Sequence, residues 1–359
     1  MSKESINWLN TNTLIGCTDK RGTAWHWRAQ EQGERSNHYP GEIPVEDVQD
    51  RLFAWQAESR RLAVELPAAV VDATHWEGGL PRRWAVVLDR QAICRSDDDT
   101  VMGIFGPGYT RHQYREWLLT KVADLLEDDL AISSAGLLRG GAIAWVEVSM
   151  PDTITTPEGV AFRPNLLATT SFDGSIATTY KRTVTDTVCD NTRELALSES
   201  GQEVKVKHSR NSHAQLGPAR QALAMVHTLA DDFAQEVARL CRVEVTSSQW
   251  EAFLDAHIPH HDNDGTALTG RSLTTADRKR DTLAGLYRSD PRVSPWAGTA
   301  HGVLQAVNTY EHHEGVVRGE RAERNGLKTI TGDFGRLDRS TWKTLTAILN
   351  RPDLVRQTA

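Results

Sequence analysis

The spacing of apolar residues changes once along this chain of 359 residues, and the change limits the folds it can adopt. Between residues 84 and 206, short alternating and β-branched runs are separated by turn residues, which is typical of antiparallel strands. One helical segment, at about 110 to 127, interrupts them. From Pro218 onward the apolar residues recur at helical spacing. This order predicts an α+β fold with a mainly antiparallel sheet, an intervening helix and a helical C-terminal third.

Turn residues indicate where the strands are joined. Arg139-Gly140-Gly141 and Asp173-Gly174 each lie between two strand-like runs and predict hairpins. "DDDT" predicts a third hairpin, ahead of residues 101–105. "CDNTRELALSES" predicts a short helix and "EVKVKHSR" an alternating strand. We expect the strands at 84–105 and 142–206 to share one sheet.

Three regions follow from these patterns. Residues 1–80 form a tryptophan-rich N-terminal region with one helix, in "IPVEDVQDRLFAW", which begins near Pro44. Residues 81–217 form the α+β core, and residues 218–359 form the helical region. Within the core, the helix at 110 to 127 is predicted to begin with Thr110 as its N-cap and to place Trp117, Val122 and Leu125 on its apolar side.

Composition and missing motifs exclude several classes of protein. The formal net charge is −7, so binding to phosphates would need a local basic surface. The N-terminus has no apolar signal core and no run of about 18 apolar residues exists, so we expect a cytoplasmic protein. The four cysteines show no CxxC spacing. No phosphate-binding loop, dinucleotide-binding loop or GxSxG motif is present, and we expect no cofactor.

Basic residues recur on the second group of predicted strands. A basic sheet face with an occasional aromatic residue is what proteins use to follow the backbone of a single strand. Lys205 and Lys207 alternate with Val204 and Val206, so both lysines should point away from the apolar face. The candidate residues for binding nucleic acid are Tyr180, Lys181, Arg182, Arg193, Lys205, Lys207 and Arg210.

Two histidine-rich stretches permit a different interpretation. "DAHIPHHDNDG" lies between predicted helices, and "TYEHHEG" ends the helix that begins near Gly298. A metal site built from them would use His257, His260, His261, Asp262, His312 and His313. Ligand spacing such as HExxH is missing, so a polar loop and a solvated helix end explain the same residues. On the second helix, His301, Gln305, Asn308 and His312 form a polar stripe opposite an apolar one.

Four motifs, in order, resemble phage and plasmid-like proteins that carry domain of unknown function 932. They are "RWAVVLDRQAICRSDDDTVMGIFGPGYTRHQYREWL", "NLLATTSFDGSIATTYKRTVTDTVCDNT", "KVKHSRNS" and "SPWAGTAHGVLQAVNTYEHH". The resemblance spans roughly residues 5 to 315 and implies a mobile-element origin in a bacterial host cell. The series of strands and helix is also similar to the core of RecT/Red-beta-type single-strand annealing proteins, an analogy at the level of fold.

These observations favour a non-enzymatic protein that binds single-stranded DNA in phage recombination or replication. We expect it to form a homo-oligomer through its helical C-terminal third. Two alternatives remain open. One is a metal-dependent, nuclease-like enzyme built on the histidine-rich stretches. The other is a phage protein that binds a host protein through its tryptophan-rich N-terminus.

Overall fold

A computed structural model of the protein describes residues 8, 10–21, 30, 32, 34–67, 76–77, 80–81, 84–123, 130–150, 152–186, 191–193, 203–209, 226–262, 264–317 and 321–350. All pairings between its strands are antiparallel. Helices dominate the last third of the chain. The predicted α+β class is therefore confirmed.

The main sheet has eight strands in the order β1-β7-β8-β10-β11-β12, and β9 and β13 pair with β10 and β11 respectively. Its strands are β1 (Thr13–Ile15), β7 (Ala131–Leu138), β8 (Ile143–Ser149), β9 (Ile154–Thr155), β10 (Ala161–Ser171), β11 (Thr178–Asp186), β12 (Asn191–Arg193) and β13 (Glu203–Val206). The two glycine turns join β7 to β8 and β10 to β11, as predicted. Gly140 and Gly174 have φ of +67° and +78°, which glycine adopts without steric cost.

A second, three-stranded sheet has the order β2-β5-β6. It consists of β2 (Ala57–Glu65), β5 (Trp84–Arg95) and β6 (Val101–Phe105), while β3 (Trp76–Glu77) and β4 (Leu80–Pro81) form a small separate pair. The prediction that residues 84–105 share one sheet with residues 142–206 is therefore wrong. Strand β2, whose polar sequence gave no clear signal, pairs along β5 and completes a sheet with the β5–β6 hairpin.

The helix between the strand groups begins later than predicted. Arg115–Thr120 is a π-helical turn that continues as a short α-helical turn, Lys121–Ala123, and together they are helix α3. Thr110 lies before this helix and is not its cap. Trp117 and Val122 are buried at 0% and 1% exposure, which confirms the predicted apolar side. Leu125 lies outside the described residues.

The remaining helices are α1 (Thr18–Arg21), α2 (Val45–Leu52), α4 (Val226–Cys241), α5 (Ser247–His257), α6 (Gly270–Ser289), α7 (Ala300–Thr309), α8 (Arg321–Thr331) and α9 (Asp333–Ile348). Helix α7 continues into a π-helical turn, Tyr310–Glu314. Helices α5 and α7 each begin with a threonine N-cap. The side chains of Thr246 and Thr299 accept hydrogen bonds from the backbone amides of Gln249 and Gly302, respectively.

Helix α7 is the central helix of this last third. Every residue from Ala300 to Thr309 is buried, and its apolar side packs with residues of α5, α6 and α9 in one hydrophobic cluster. No helix in the described ranges has both the length and the apolar character that crossing a bilayer requires.

The short helix predicted at 189–200 is corrected by the structure. Asn191–Arg193 forms strand β12, which pairs with the end of β11, and residues 194–200 lie outside the described part of the chain. Extended backbone is favoured here because Val184, Thr185 and Asp186 offer an adjacent strand edge.

Candidate nucleic-acid interface on strand β13

Lys205 of strand β13 and Lys207, the residue that directly follows the strand, face solvent, whereas Val206 faces the interior. Lys205 and Lys207 are exposed, whereas Val206 between them is fully buried. Residues that alternate along a strand point to opposite faces, so the two lysines share one face. Within the described residues β13 pairs only with β11, with Lys205 opposite Thr179, and it is therefore an edge strand there. Strand β11, which contains Tyr180 and Lys181, therefore lies directly beside β13.

The residues predicted to accompany these lysines on β11 are not exposed. Tyr180 has 0% exposure, and its hydroxyl donates a hydrogen bond of 2.7 Å to the carbonyl of Trp117. It faces helix α3, on the opposite side of the sheet from Lys205, so it offers no accessible ring for base stacking. Lys181 shares the face of Lys205 but is only 4% exposed, and its Nζ donates to the carbonyl of Thr329.

The three candidate arginines cannot be placed with the lysines. Arg182 and Arg193 belong to β11 and β12 by their backbone, and their side chains are not described. Arg210 lies outside the described residues.

Behind β13, five rings stack in one column, with neighbouring ring centroids 3.8 to 4.9 Å apart and interplanar angles of 8° to 19°. In order, the rings of this column belong to Phe105, Tyr109, His208, His112 and Trp117. The ammonium group of Lys121 lies 3.3 Å from the Trp117 ring centroid at the end of the column. The column thus joins strand β6, helix α3 and the residues that follow β13.

Hydrogen bonds fix the protonation of His208 in this column. Its Nδ1 lies 3.0 Å from the carbonyl oxygen of Thr110, which can only accept, so Nδ1 carries the proton. The neutral Nε2 then accepts from the hydroxyl of Thr170 at 3.0 Å. Burial lowers the pKa of His208 to about 4. The ring is therefore neutral near pH 7 and belongs to the support of β13 rather than to its positive charge.

A third exposed cation lies beside β13. The backbone amide of Thr110 donates to the carbonyl of His208 at 3.4 Å, so the segments around these two residues run side by side. Arg111 and Lys207, each adjacent in sequence to this contact, are both exposed, and neither has an ion pair within the described ranges. Lys205, Lys207 and Arg111 are called the β13 cation patch below.

The histidine-rich loop after α5 is held by contacts of its own. Nε2 of His260 lies 3.0 Å from Oδ1 of Asp277 on α6. Nδ1 of His261 lies 3.2 Å from the carbonyl of Asp262, whose carboxylate accepts the backbone amide of Thr266 at 2.9 Å. These contacts are those of a solvated turn, the simpler of the two interpretations of this sequence.

Two more of the candidate ligands, the half-buried His257 and the buried His312, lie against aromatic rings. The ring of His257 stacks on Phe253 with centroids 5.1 Å apart, and that of His312 stacks on Phe334 with centroids 3.8 Å apart. Burial lowers the pKa of His257 to about 4 and that of His312 to about 3. Both imidazoles are part of the helical core.

The carboxylate next to His312 is already neutralised. Glu311 forms ion pairs with Lys279, Arg324 and Lys328 at 3.5, 3.1 and 3.2 Å. Burial alone would raise the pKa of Glu311, but these cations bring it below its ordinary value. The ring of His313 is 6.2 Å from that of His312. Across the described ranges, no group of three or more His, Cys, Asp or Glu side chains is placed to hold a metal ion.

The polar stripe of α7 is not solvated. His301, Gln305 and Asn308 are 0% exposed and His312 is 3% exposed. Helix α9 packs against the stripe, and Nδ2 of Asn308 donates to Oδ1 of the buried Asp338 at 3.1 Å. The interpretation of His312 as part of a solvated helix end is therefore wrong, because its stripe packs against α9 and Asp338, 30 positions after Asn308, accompanies that residue into the interior.

Sequence reasoning missed the ring column. Its members lie inside two motifs that were recognised, the one that ends in "FGPGYTRHQYREWL" and "KVKHSRNS", but the spacing of 105, 109, 112 and 117 matches no single helix or strand. Only the sheet brings His208 between Tyr109 and His112. The presence of aromatic and histidine residues in both motifs was the available signal.

Comparison with known proteins identifies a family for this chain but no individual relative. A family model described as "Domain of unknown function (DUF932)" matches residues 101–330, a range that contains the whole ring column, the β13 cation patch and α7. Searches of curated proteins and of solved structures found no match. The matched range begins at residue 101 rather than near residue 5, and it covers well over half of the chain. The resemblance seen in the sequence is thus confirmed, and the chain belongs to the family defined by domain of unknown function 932.

Proposed function

We propose that this protein binds single-stranded DNA along strand β13 and serves annealing in the recombination or replication of a mobile element such as a phage. The observation that carries the proposal is the exposure of Lys205 and Lys207 on either side of the fully buried Val206. Two cations on one face of an edge strand, with Arg111 near them, form a short positive track on a protein of net charge −7.

The support behind this track favours binding to a flexible polyanion. Residues two apart on a strand are separated by about 6.5 Å, so the two lysines reach successive points along an extended backbone. The ring column holds the strand from behind, and this reduces the conformational entropy that the strand loses when it binds a partner. Lysine ammonium groups act on phosphates as point charges and do not read sequence.

The burial of Tyr180 removes its ring from the proposed contact and leaves the lysines to make it. Without a stacked tyrosine in the track, the bases of a bound strand are left free. A protein that neutralises the backbone and leaves the bases accessible allows them to pair with a complementary strand. The proposed contact is therefore electrostatic and tolerant of sequence.

The test is a salt series of oligonucleotide binding with the double variant Lys205→Gln/Lys207→Gln. Each phosphate contact to a single strand contributes about −0.7 to the slope of log K against log salt. Loss of two contacts should therefore flatten the slope by roughly 1.4 units and weaken binding to all sequences alike. Fluorescence anisotropy with labelled oligonucleotides of mixed and homopolymeric sequence measures both quantities.

A matched control variant distinguishes the loss of local phosphate contacts from a general effect of the change in net charge. Arg271 and Arg278 are exposed on α6, and Arg271→Gln/Arg278→Gln removes the same two charges from another surface. We expect this control to keep the parent's slope. Equal slopes for the β13 variant and the parent, or a parent that does not bind single strands at low salt, would reject the proposal.

A further inference from the structure

The β2–β5 pair extends past its third strand as a two-stranded ribbon. Strand β6 pairs with β5 only over Gln91–Cys94, whereas β2 and β5 stay paired from Leu62 opposite Val87 to Glu65 opposite Trp84. The register shifts between Arg61 and Leu62, where Leu88, Asp89 and Arg90 of β5 have no partner in β2. Leu62–Glu65 with Trp84–Val87 is called the β-ribbon below.

The β-ribbon is apolar but exposed. Val64, Trp84 and Val86 are exposed at 53%, 51% and 40%, and Leu88 at its base is exposed at 90%. Single exposed apolar residues are ordinary, but here both faces of the strand pair carry them: Val64 shares a face with Ala85, and Trp84 and Val86 lie on the other face. Among the described residues the outer edge of β2 has no partner strand, and such an edge is a template for pairing with another strand.

The outer edge of β2 is complementary to itself. If two copies of β2 align antiparallel about Ala63, Arg61 of each lies opposite Glu65 of the other, and Leu62 lies opposite Val64. Both Arg61 and Glu65 are exposed. Opposite charges and apolar residues directly across an antiparallel pair are each stabilising, and here one two-fold axis produces both pairs twice.

We propose that the protein dimerises through β2, which pairs with β2 of a second copy to form a four-stranded sheet in the order β5-β2-β2-β5. A second copy is the occupant because the charges complement those of the same segment: a strand of another sequence would have to supply the same glutamate and arginine at the same separation. This inference is independent of DNA binding. The sequence predicted self-association through the helical C-terminal third, whereas this inference assigns it to strand β2.

Charge reversal tests the pairing. Arg61→Glu places two glutamates opposite each other at both ends of the pairing, and Glu65→Arg places two arginines there. Each single variant should weaken dimerisation on the order of tenfold, because two favourable pairs become two unfavourable ones. The double variant Arg61→Glu/Glu65→Arg restores opposite charges and should dimerise like the parent. Sedimentation velocity across a concentration series measures each dissociation constant.

Mixing the two single variants gives a sharper result. The Arg61→Glu copy has a glutamate at both positions of the pairing, and the Glu65→Arg copy has an arginine at both. Each glutamate of the first copy would therefore face an arginine of the second, so a heterodimer should form where neither variant associates alone. Arg278→Glu on α6 is the control for a reversed charge elsewhere, and it should leave dimerisation unchanged. Circular dichroism checks that all variants are folded.

Two results would overturn the inference. One is a parent that stays monomeric at all concentrations reached. The other is a dimer whose dissociation constant is the same in both single variants as in the parent, because the contact would then lie elsewhere.

Discussion

Strand β13 and the β-ribbon both offer open strand edges, but they differ in what lies behind them. Val206 of β13 is fully buried, and a column of stacked rings supports the strand from one side. In the β-ribbon, residues on both faces are at least partly exposed, including Val64 at 53% and Trp84 at 51%. One edge is charged and backed by stacked rings, and the other is apolar and belongs to a two-stranded ribbon with partly exposed residues on both faces.

The difference indicates what each edge can receive. Lysines on an edge strand oppose the addition of another protein strand, because an approaching strand would have to desolvate their charges. The same lysines attract phosphates. Apolar residues with balanced charges, as on β2, disfavour a polyanion and favour a second strand of protein. The two edges of one molecule are therefore suited to different partners.

The two regions should differ most in the free energy of unfolding that is lost when a tryptophan is removed from each. Trp117→Ala removes the fully buried end of the ring column and should lower the free energy of unfolding by about 3 to 5 kcal/mol, as for other buried tryptophans. Trp84→Ala in the β-ribbon should lower it by about 1 kcal/mol or less, because half of that ring is already in water. Urea unfolding followed by circular dichroism compares them. Similar losses in the two variants would contradict the proposed contrast.

Acid should weaken the region behind β13 through His208. Its folded-state pKa of about 4 lies below the ordinary 6.5, so the unfolded chain binds more protons between these pH values. Stability is therefore full above about pH 6.5 and is lost as the pH falls toward 4, by at most about 3 kcal/mol for this residue.

His208→Phe isolates this contribution. Phenylalanine keeps a ring in the column and does not titrate, so the unfolding free energy of the variant should fall less steeply with pH than that of the parent. His257 and His312 still titrate in both proteins, which makes the difference in slope the informative quantity. Parallel pH profiles would show that His208 does not carry the effect.

Removing one valine from each edge should give a smaller difference in the free energy of unfolding that is lost. Val206→Ala deletes two methyl groups from a fully buried site and should cost about 1 to 2 kcal/mol. Val64→Ala, on the exposed side of the β-ribbon, should cost about 0.5 kcal/mol or less in the monomer. Both are measured by urea unfolding at low protein concentration, where association does not contribute. If Val64→Ala lowered the free energy of unfolding more than Val206→Ala, the β-ribbon would be the better-packed of the two edges.

The smallest effect on stability is expected from Lys205→Val/Lys207→Val, which gives β13 the apolar character of the β-ribbon. Both lysine side chains are exposed, so the free energy of unfolding should change by about 0.5 kcal/mol or less. Self-association should increase, because the charges that protect the edge are gone. Light scattering detects this. A variant no more prone to associate than the parent would show that charge is not what protects β13.

The sequence predicted the hairpins and the lysine face because each depends on neighbours in the chain. Glycine turns fix the two hairpins, and alternation with Val206 fixes the direction of Lys205 and Lys207. The same alternation should have separated Tyr180 from Lys181, since consecutive strand residues point to opposite faces. The sequence itself therefore indicates that Tyr180 and Lys181 do not share a surface.

Other features depend on contacts between distant residues. The burial of Lys181 follows from α8, a helix that the pattern did not reveal, through a bond to a carbonyl 148 positions away. The ring column needs His208 to come between Tyr109 and His112, which only the register of β11 and β13 brings about. Neither contact has a local signal in the sequence.

The bond between Asn308 and Asp338 also sets an order of events during synthesis of the chain. When α7 leaves the ribosome, the residues that will accompany its polar stripe have yet to be translated, because Asp338 follows Asn308 by 30 positions. Until α9 emerges, burying α7 would leave the Asn308 amide without this carboxylate, at a cost of about 1 to 3 kcal/mol for an unpaired polar group. We therefore expect α7 to stay hydrated until α9 is available, and closure of the helical third to follow the arrival of Asp338.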